Sequence, residues 1–395
     1  MPAQIQAPQV QAPPLALYVH LPWCVRKCPY CDFNSHAAGG DPPEDAYVAA
    51  LLADLAADLT GPAAGRPLVS IFIGGGTPSL FSGAAIARLL DGVRRLVELA
   101  PDAEITLEAN PGTADAAHFA AYRAAGVNRL SIGVQSLDED KLRRLGRIHD
   151  PEQARSAVAM ARSAGFDNLN LDLMYALPGQ DLAQAAADLD AAIALGPEHL
   201  SYYQLTLEPN TAFHQAPPPL PDDDLAADMH DRGLERLAAA GYAQYEVSAH
   251  ARLGRRCRHN LNYWEFGDYL GIGAGAHAKL TDPETSQVTR ITKHRHPDSY
   301  LGAARAGGFI SSRRTLADED LILEFALFGL RLNDGFSPEL FSARTGLPYE
   351  SIRARVAAAQ ADGLLEPEAR RVQPTELGRR FLNDLIQGFT PQAGG

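Results

Sequence analysis

Residues 15–35 read LALYVHLPWCVRKCPYCDFNS. The apolar run from Leu15 to Leu21 has the length of a strand and stops at Pro22. The chain then enters Cys24-Val-Arg-Lys-Cys28-Pro-Tyr-Cys31, a CxxxCxxC arrangement on one short loop. Outward from it, the same unit recurs. Short apolar runs (LVSIFIGGG, AEITLEANP, VNRLSIGVQS, NLNLDLMYALPG, HLSYYQLTLEP) alternate with Ala- and Leu-rich amphipathic stretches at 44–59, 84–99, 114–125, 152–164 and 182–195. Six strand-and-helix units predict an α/β chain closing into a parallel barrel, complete or partial. Polar and glycine residues gather just after the strands, at GGGTP, EANPG, GVQS and LPGQ, where barrel proteins carry their functional loops.

The barrel is expected over 15–240, after a Pro/Gln/Ala-rich tail at 1–14. APPPLPDDD (216–224) marks a break, with Asp222 or Asp223 suited to cap a helix. From 241 to 314 the pattern changes to YAQYEVSAHA and a glycine-rich YLGIGAGAHAKL, read as a hairpin-like extension. Short helices near 317–336, 338–345 and 349–362, followed by LLEPEARRVQPTELG, predict a small winged-helix-like domain over 315–385, with a tail at 386–395.

Composition narrows the function. The formal charge of −13, from 35 Lys plus Arg against 48 Asp plus Glu, argues against a surface that neutralises duplex phosphates, so no nucleic-acid partner is expected. No window reaches the roughly 18 consecutive apolar residues of a membrane-spanning helix. The first residues lack the basic flank and apolar run of a secretory signal, which predicts a cytoplasmic protein. Four cysteines cannot build a disulfide framework, and three of them crowd into eight positions. Structural zinc asks for four ligands, and no second cysteine pair follows. Three thiolates can instead hold three irons of a [4Fe–4S] cube, leaving the fourth iron open to an external chelator.

These motifs carry a resemblance. CxxxCxxC after the first strand with GGGTP after the second is similar to the radical S-adenosylmethionine superfamily. YVHLPWCVRKCPYCDFNS, GGGTPS, LEANPG, GVQS, GRIHD, DLMYALPGQ and HNLNYWEFGDYLGIGAGAH together resemble its oxygen-independent coproporphyrinogen oxidase-like family, on the side of the heme chaperones. The resemblance implies a partial (β/α)6 barrel. It also implies that S-adenosylmethionine chelates the open iron of a cluster on Cys24, Cys28 and Cys31, where one-electron cleavage yields a 5′-deoxyadenosyl radical. Tyr18, Tyr30, Gly75, Gly76, Thr77, Glu108, Gln135, Arg147 and Asp172 occupy the matched cofactor positions. Each has an ordinary structural alternative, aromatic packing for the tyrosines and an ion-pair network for the charged groups.

One departure separates the two activities in that family. The decarboxylating oxidases carry a further cysteine two places after the third, and here that place is Phe33. The chain has instead the HNxxYW pattern of the heme chaperones. His259 offers an imidazole to iron, and Asn260, Tyr263 and Trp264 complete the expected heme site, with His250 and Cys257 as competing ligands. The expected function is reversible heme holding and transfer to hemoproteins, including membrane-associated respiratory ones. The alternative is oxidative decarboxylation of coproporphyrinogen III. Electron donor and oligomeric state, a homodimer included, stay open.

Overall fold

The computed structural model describes residues 10–391 apart from 114, 307 and 368–369. The six expected strands are β1 (Leu15–Leu21), β2 (Leu68–Gly75), β3 (Leu99–Ala109), β4 (Arg129–Gln135), β5 (Leu169–Tyr175) and β6 (His199–Gln204). They lie side by side in chain order, all parallel. Parallel neighbours need crossovers, supplied by α1 (Glu44–Asp58), α2 (Gly83–Leu96), α3 (Ala116–Ala125), α5 (Pro151–Ser163) and α6 (Leu182–Ala194). A short α4 (Glu139–Arg144) precedes α5 in the fourth crossover and has no counterpart in the periodicity reading. Ser82, Asp115, Asp150 and Asp181 each accept a backbone N–H in the first turn of the helix they begin, the last two within capping boxes.

Strand alternation sorts the side chains. Leu17, Val19, Ile71, Ile73, Ile105, Leu107, Ile132, Leu171 and Leu173 are buried in the core shared with the helices. The opposite face carries Tyr18, Phe72, Thr106, Ser131, Asp172 and Ser201, a far more polar set that turns into the barrel. The concave face thus has hydrogen-bonding groups to spare.

Residues 241–314 extend this sheet at both edges. Strands β7 (Ala243–Gln244) and β8 (Ala249–Ala251) add antiparallel beyond β6. On the other side β9 (Asp268–Ile272) pairs parallel with β1, and β10 (His277–Asp282), β11 (Gln287–Lys293) and β12 (Ile310–Thr315) follow antiparallel. The order is β12-β11-β10-β9-β1-β2-β3-β4-β5-β6-β8-β7, an open sheet of twelve strands and a partial barrel. The glycine-rich stretch read as a hairpin therefore opens with a seventh parallel strand. Gly271 and Gly273 permit it: a Cβ on either would meet the His277 or the His20 carbonyl oxygen at 1.8 and 2.4 Å. Buried ion pairs fasten the addition. Lys293 Nζ reaches Asp54 and Asp58 of α1 at 2.6 and 2.7 Å, and Lys279 and Arg66 both reach Asp268 at 2.9 Å.

The helix Arg258–Trp264 packs on β1, β2 and β9. It lies against the starts of the strands, where His259 Nδ1 is 2.9 Å from Ser70 Oγ and the His259 N–H donates to Glu104. The C-terminal helices Asp318–Gly329, Pro338–Thr345 and Glu350–Ala361 enclose a second core around Phe325, Phe336, Phe341, Ile352 and Val356. Antiparallel bridges Leu365–Pro374 and Phe336–Val372 form its small wing. Of the expected tails, residues 1–9 and 392–395 lie outside the described residues. Val10 is buried and the Gln11 N–H donates to the Ala343 carbonyl, while Phe389 is buried in the second core.

Candidate functional site

The cysteine loop leaves β1 at its C-terminal end. Trp23–Cys24 pairs with His36–Ala37, and the Cys31 N–H donates to the Cys28 carbonyl at 3.1 Å, tightening the turn between the second and third thiols. All three cysteines are half-buried and line one cavity of about 1190 Å³ over the strand ends. Burial raises the Cys24 and Cys31 thiols, opposed by hydrogen bonds from Thr77 and Ser35 at Cys24 and from the Phe33 backbone and Ser35 at Cys31. Arg147 brings a half-buried cation to the loop, its Nη1 3.6 Å from Cys28 Sγ.

The glycines after β2 hold this loop from below. The Gly76 and Thr77 N–H groups donate to the Leu21 and Trp23 carbonyls at 2.8 and 2.7 Å. A Cβ on Gly76 would lie 2.5 Å from the Trp23 oxygen, so only glycine allows the approach. Gly75 sits at φ +120° and donates its N–H to Glu108 Oε2 at 3.0 Å. Burial, reinforced by the neighbouring Asp172 carboxylate and opposed by that N–H, pushes Glu108 up to about 7. Asp172 accepts from Ser131 and Asn170 and is itself raised, chiefly by burial. Two neighbouring half-buried acids whose protonated forms are favoured suit a positively charged ligand, which would relieve their mutual repulsion.

Gln135 ends β4 at φ +67°, where its amide oxygen accepts from Tyr203 at 2.7 Å. Arg147 Nη2 donates to the Gly133 carbonyl at 2.9 Å, while its buried Nε has no partner among the described residues. The cavity wall thus gathers Cys24, Cys28, Cys31, Tyr30, Gly75, Gly76, Thr77, Glu108, Gln135, Arg147 and Asp172.

Five expected residues lie elsewhere. Tyr18 is level with Phe72 in the register, one inward layer below the Gly74 level, and its ring stacks on Phe72 while its hydroxyl is 2.9 Å from His20 Nδ1. His259, Asn260, Tyr263 and Trp264 are also off the wall, because their helix packs at the opposite end of the strands. Both His259 nitrogens are engaged, by Ser70 and by Tyr263 at 3.0 Å, and burial with the nearby Arg129 lowers it to about 3. As folded, this imidazole is a neutral core group rather than an exposed ligand. The pattern offers side chains of a kind suited to heme, but only packing decides which end of the barrel they reach. Tyr203 was missed; the strand alternation in HLSYYQ places it on the inward face. The segment Arg379–Asp384, which closes the cavity from the C-terminal domain, gave no motif at all.

The wall fits the implied cofactors. Among the described residues no three His, Cys, Asp or Glu side chains converge on a single-ion centre. The thiols border a chamber instead, beside a half-buried cation and a glycine cradle, and opposite the carboxyls of Glu108 and Asp172. An iron–sulfur cluster and a sulfonium chelate match that donor set.

Such a barrel with a three-thiol mouth is the hallmark of a radical S-adenosylmethionine protein, and the Radical SAM superfamily profile matches residues 18–192. The HemN C-terminal domain profile matches 316–381. The chain belongs to the HemW family. It is 52% identical over 380 residues to the heme chaperone HemW of Escherichia coli, covering 96% of this chain and 99% of that one. The HemW of Haemophilus influenzae is 48% identical, with 95% and 98% covered. The bovine mitochondrial radical S-adenosyl methionine domain-containing protein 1 is 38% identical, with 96% and 88% covered. Among solved structures, the coproporphyrinogen III oxidase HemN of Escherichia coli, a radical SAM enzyme, superposes with a TM-score of 0.80 at 25% identity over 96% of this chain and 90% of that one.

Proposed function

We propose that this protein is a heme chaperone that carries a [4Fe–4S] cluster and S-adenosylmethionine, holds heme reversibly and passes it to hemoproteins. The observation that carries this reading is the near full-length likeness to relatives named heme chaperones. Phe33 supports it against the oxidase alternative. It stands, 60% exposed, where the oxidases have their additional cysteine. Cys257 is no substitute, being buried off the cavity wall against Glu104 and pushed up to about 12 by that burial.

Cys24, Cys28 and Cys31 would hold three irons, and the bound cluster and sulfonium supply one-electron chemistry. The chain's own part is positional. Gly75, Gly76 and Thr77 let backbone approach the ligand, Glu108 and Asp172 would meet its cationic and ribose portions, and Gln135, Tyr30 and Arg147 border the chamber. Respiratory, membrane-associated hemoproteins reached from the cytoplasm are the proposed acceptors. Among the described residues no helix is long and apolar enough to cross a membrane.

The test is heme titration of the reconstituted protein followed by transfer to an apo-hemoprotein. Stoichiometric uptake and transfer are expected; no uptake overturns the reading. Carbon dioxide release from coproporphyrinogen III with S-adenosylmethionine and a reductant would favour the oxidase instead.

A further inference from the structure

Asn170, His199 and Tyr245 are buried polar side chains that stand off the cavity wall. Asn170 precedes Asp172 by two residues on β5, so both side chains face into the barrel. In the register Asn170 lies between Ser131 of β4 and His199 of β6. Its Nδ2 is 2.8 Å from both Asp172 Oδ1 and Ser131 Oγ, and its Oδ1 is 2.6 Å from His199 Nδ1. His199 Nε2 is 2.8 Å from the Tyr245 hydroxyl, which the Cys257 N–H meets at 3.2 Å. A line of hydrogen bonds thus runs from the start of the helix Arg258–Trp264 to a carboxyl of the chamber.

The direction of these bonds follows from the donors and acceptors at Tyr245. Its oxygen accepts from the Cys257 N–H, and its O–H finds no acceptor among the described residues other than His199 Nε2. That nitrogen is therefore bare. Burial, with Arg129 and His250 nearby, holds His199 well below its ordinary value and so neutral. Its single proton is then on Nδ1 and is donated to Asn170 Oδ1. The amide is fixed in turn, its NH2 toward Asp172 and Ser131. Glu108, Arg129 and Tyr203 also face Asp172, but its donors are Asn170, Ser131 at 3.2 Å and, more loosely, Ser201. A carboxylate supplied with donors from behind keeps its remaining lone pairs for hydroxyl groups on the chamber side.

We infer that His199 is a positioning residue for the cofactor: as the Nδ1–H tautomer it locks the Asn170 amide, and the amide keeps Asp172 an oriented acceptor for the ribose hydroxyls of S-adenosylmethionine. This rests on the cofactor reading above, and two readouts keep the two apart. In the intact, cluster-free chain carrying isotopically labelled histidine, the ring-nitrogen resonances that vanish in His199→Asn should report a protonated Nδ1 and a bare Nε2. A protonated Nε2 with a bare Nδ1 overturns the inference, whatever the cofactor does. In the reconstituted chain, calorimetric titration with S-adenosylmethionine should show His199→Phe, which cannot donate, binding about tenfold more weakly than wild type. His199→Asn, whose amide N–H stands in for the ring donor, should recover most of that loss, although both variants forfeit the Tyr245 bond and should fall alike in thermal midpoint. Affinity that follows the midpoint rather than the donor, or that is unchanged in His199→Phe, overturns the positioning role. Tyr245→Phe, nearly isosteric, is the second variant: it should release the tautomer lock and weaken binding severalfold, and a tautomer and affinity identical to wild type count against the chain. No binding by the wild type defeats the cofactor reading itself.

Discussion

Arg147 Nη1 lies 3.6 Å from the sulfur of Cys28, and its Nη2 donates to the Gly133 carbonyl, so one half-buried guanidinium joins the cysteine loop to the end of β4. The pair spans 119 residues of sequence. Hydrogen bonds to charged groups contribute about 1.5–3 kcal/mol, and a thiolate beside this cation should need it. Arg147→Met, close in volume and uncharged, is expected to retain iron and sulfide about tenfold less well after anaerobic reconstitution. An unchanged iron content during dialysis against a chelator would remove Arg147 from the site.

Gly76→Ala tests the contact between the glycine turn and the cysteine loop. Its Cβ would stand 2.5 Å from the Trp23 carbonyl oxygen, forcing the two backbones apart. The variant should fold, with a small loss in thermal midpoint, yet show weakened S-adenosylmethionine binding by calorimetry. Wild-type affinity would mean that the close approach serves packing alone.

Glu108 links stability to pH. In the fold its carboxyl keeps its proton up to about 7, against the usual 4.5, because burial beside Asp172 disfavours the charge. The native state therefore holds the extra proton between those values, and stability falls as pH rises through them. Glu108→Gln should make the cofactor-free protein more stable at pH 8, by up to a few kcal/mol, with the gain vanishing below pH about 4.5. A cationic ligand favours the ionised form, so wild-type affinity for S-adenosylmethionine should rise from pH 6 to 8 and flatten in the variant. Parallel urea melts and titrations check both.

Lys293 neutralises Asp54 and Asp58 between α1 and β11, all three buried. Removing one partner of a buried ion pair costs about 3–5 kcal/mol. Lys293→Met should lower the unfolding free energy read from urea melts by that amount, and adding Asp54→Asn should restore part of it. Additive losses in the double variant would contradict a shared interaction.

His259 gives the opposite pH dependence. Burial, with Arg129 nearby, holds it neutral to about 3, whereas the unfolded chain takes up the proton near 6.5. Its contribution is fully present above pH 6.5 and is lost as pH falls toward 3. His259→Asn should be less stable at neutral pH, having lost contacts to Ser70 and Tyr263, but its stability should fall less steeply in acid. An identical acid slope would show that the ring is protonated in the fold.

The order of the six barrel strands and the three-thiol loop were legible in the chain because both are local. A period-2 run of aliphatic residues makes its own strand, and CxxxCxxC needs only eight consecutive positions to bring three sulfurs together. Glu108 and Gln135 stand at the ends of their strands, and parallel strands deliver their ends to one rim, whereas Asp172 in the middle of β5 and Arg147 beyond α4 were legible only through the family resemblance. Tertiary packing decided the rest. It placed His259 against Ser70, 189 residues away, at the far end of the barrel. It added a seventh parallel strand at the β1 edge, and it carried Arg379–Asp384 to the cavity mouth. Those outcomes depend on which buried surfaces fit and which buried charges find partners across hundreds of residues, and neither is encoded in the spacing of any one segment.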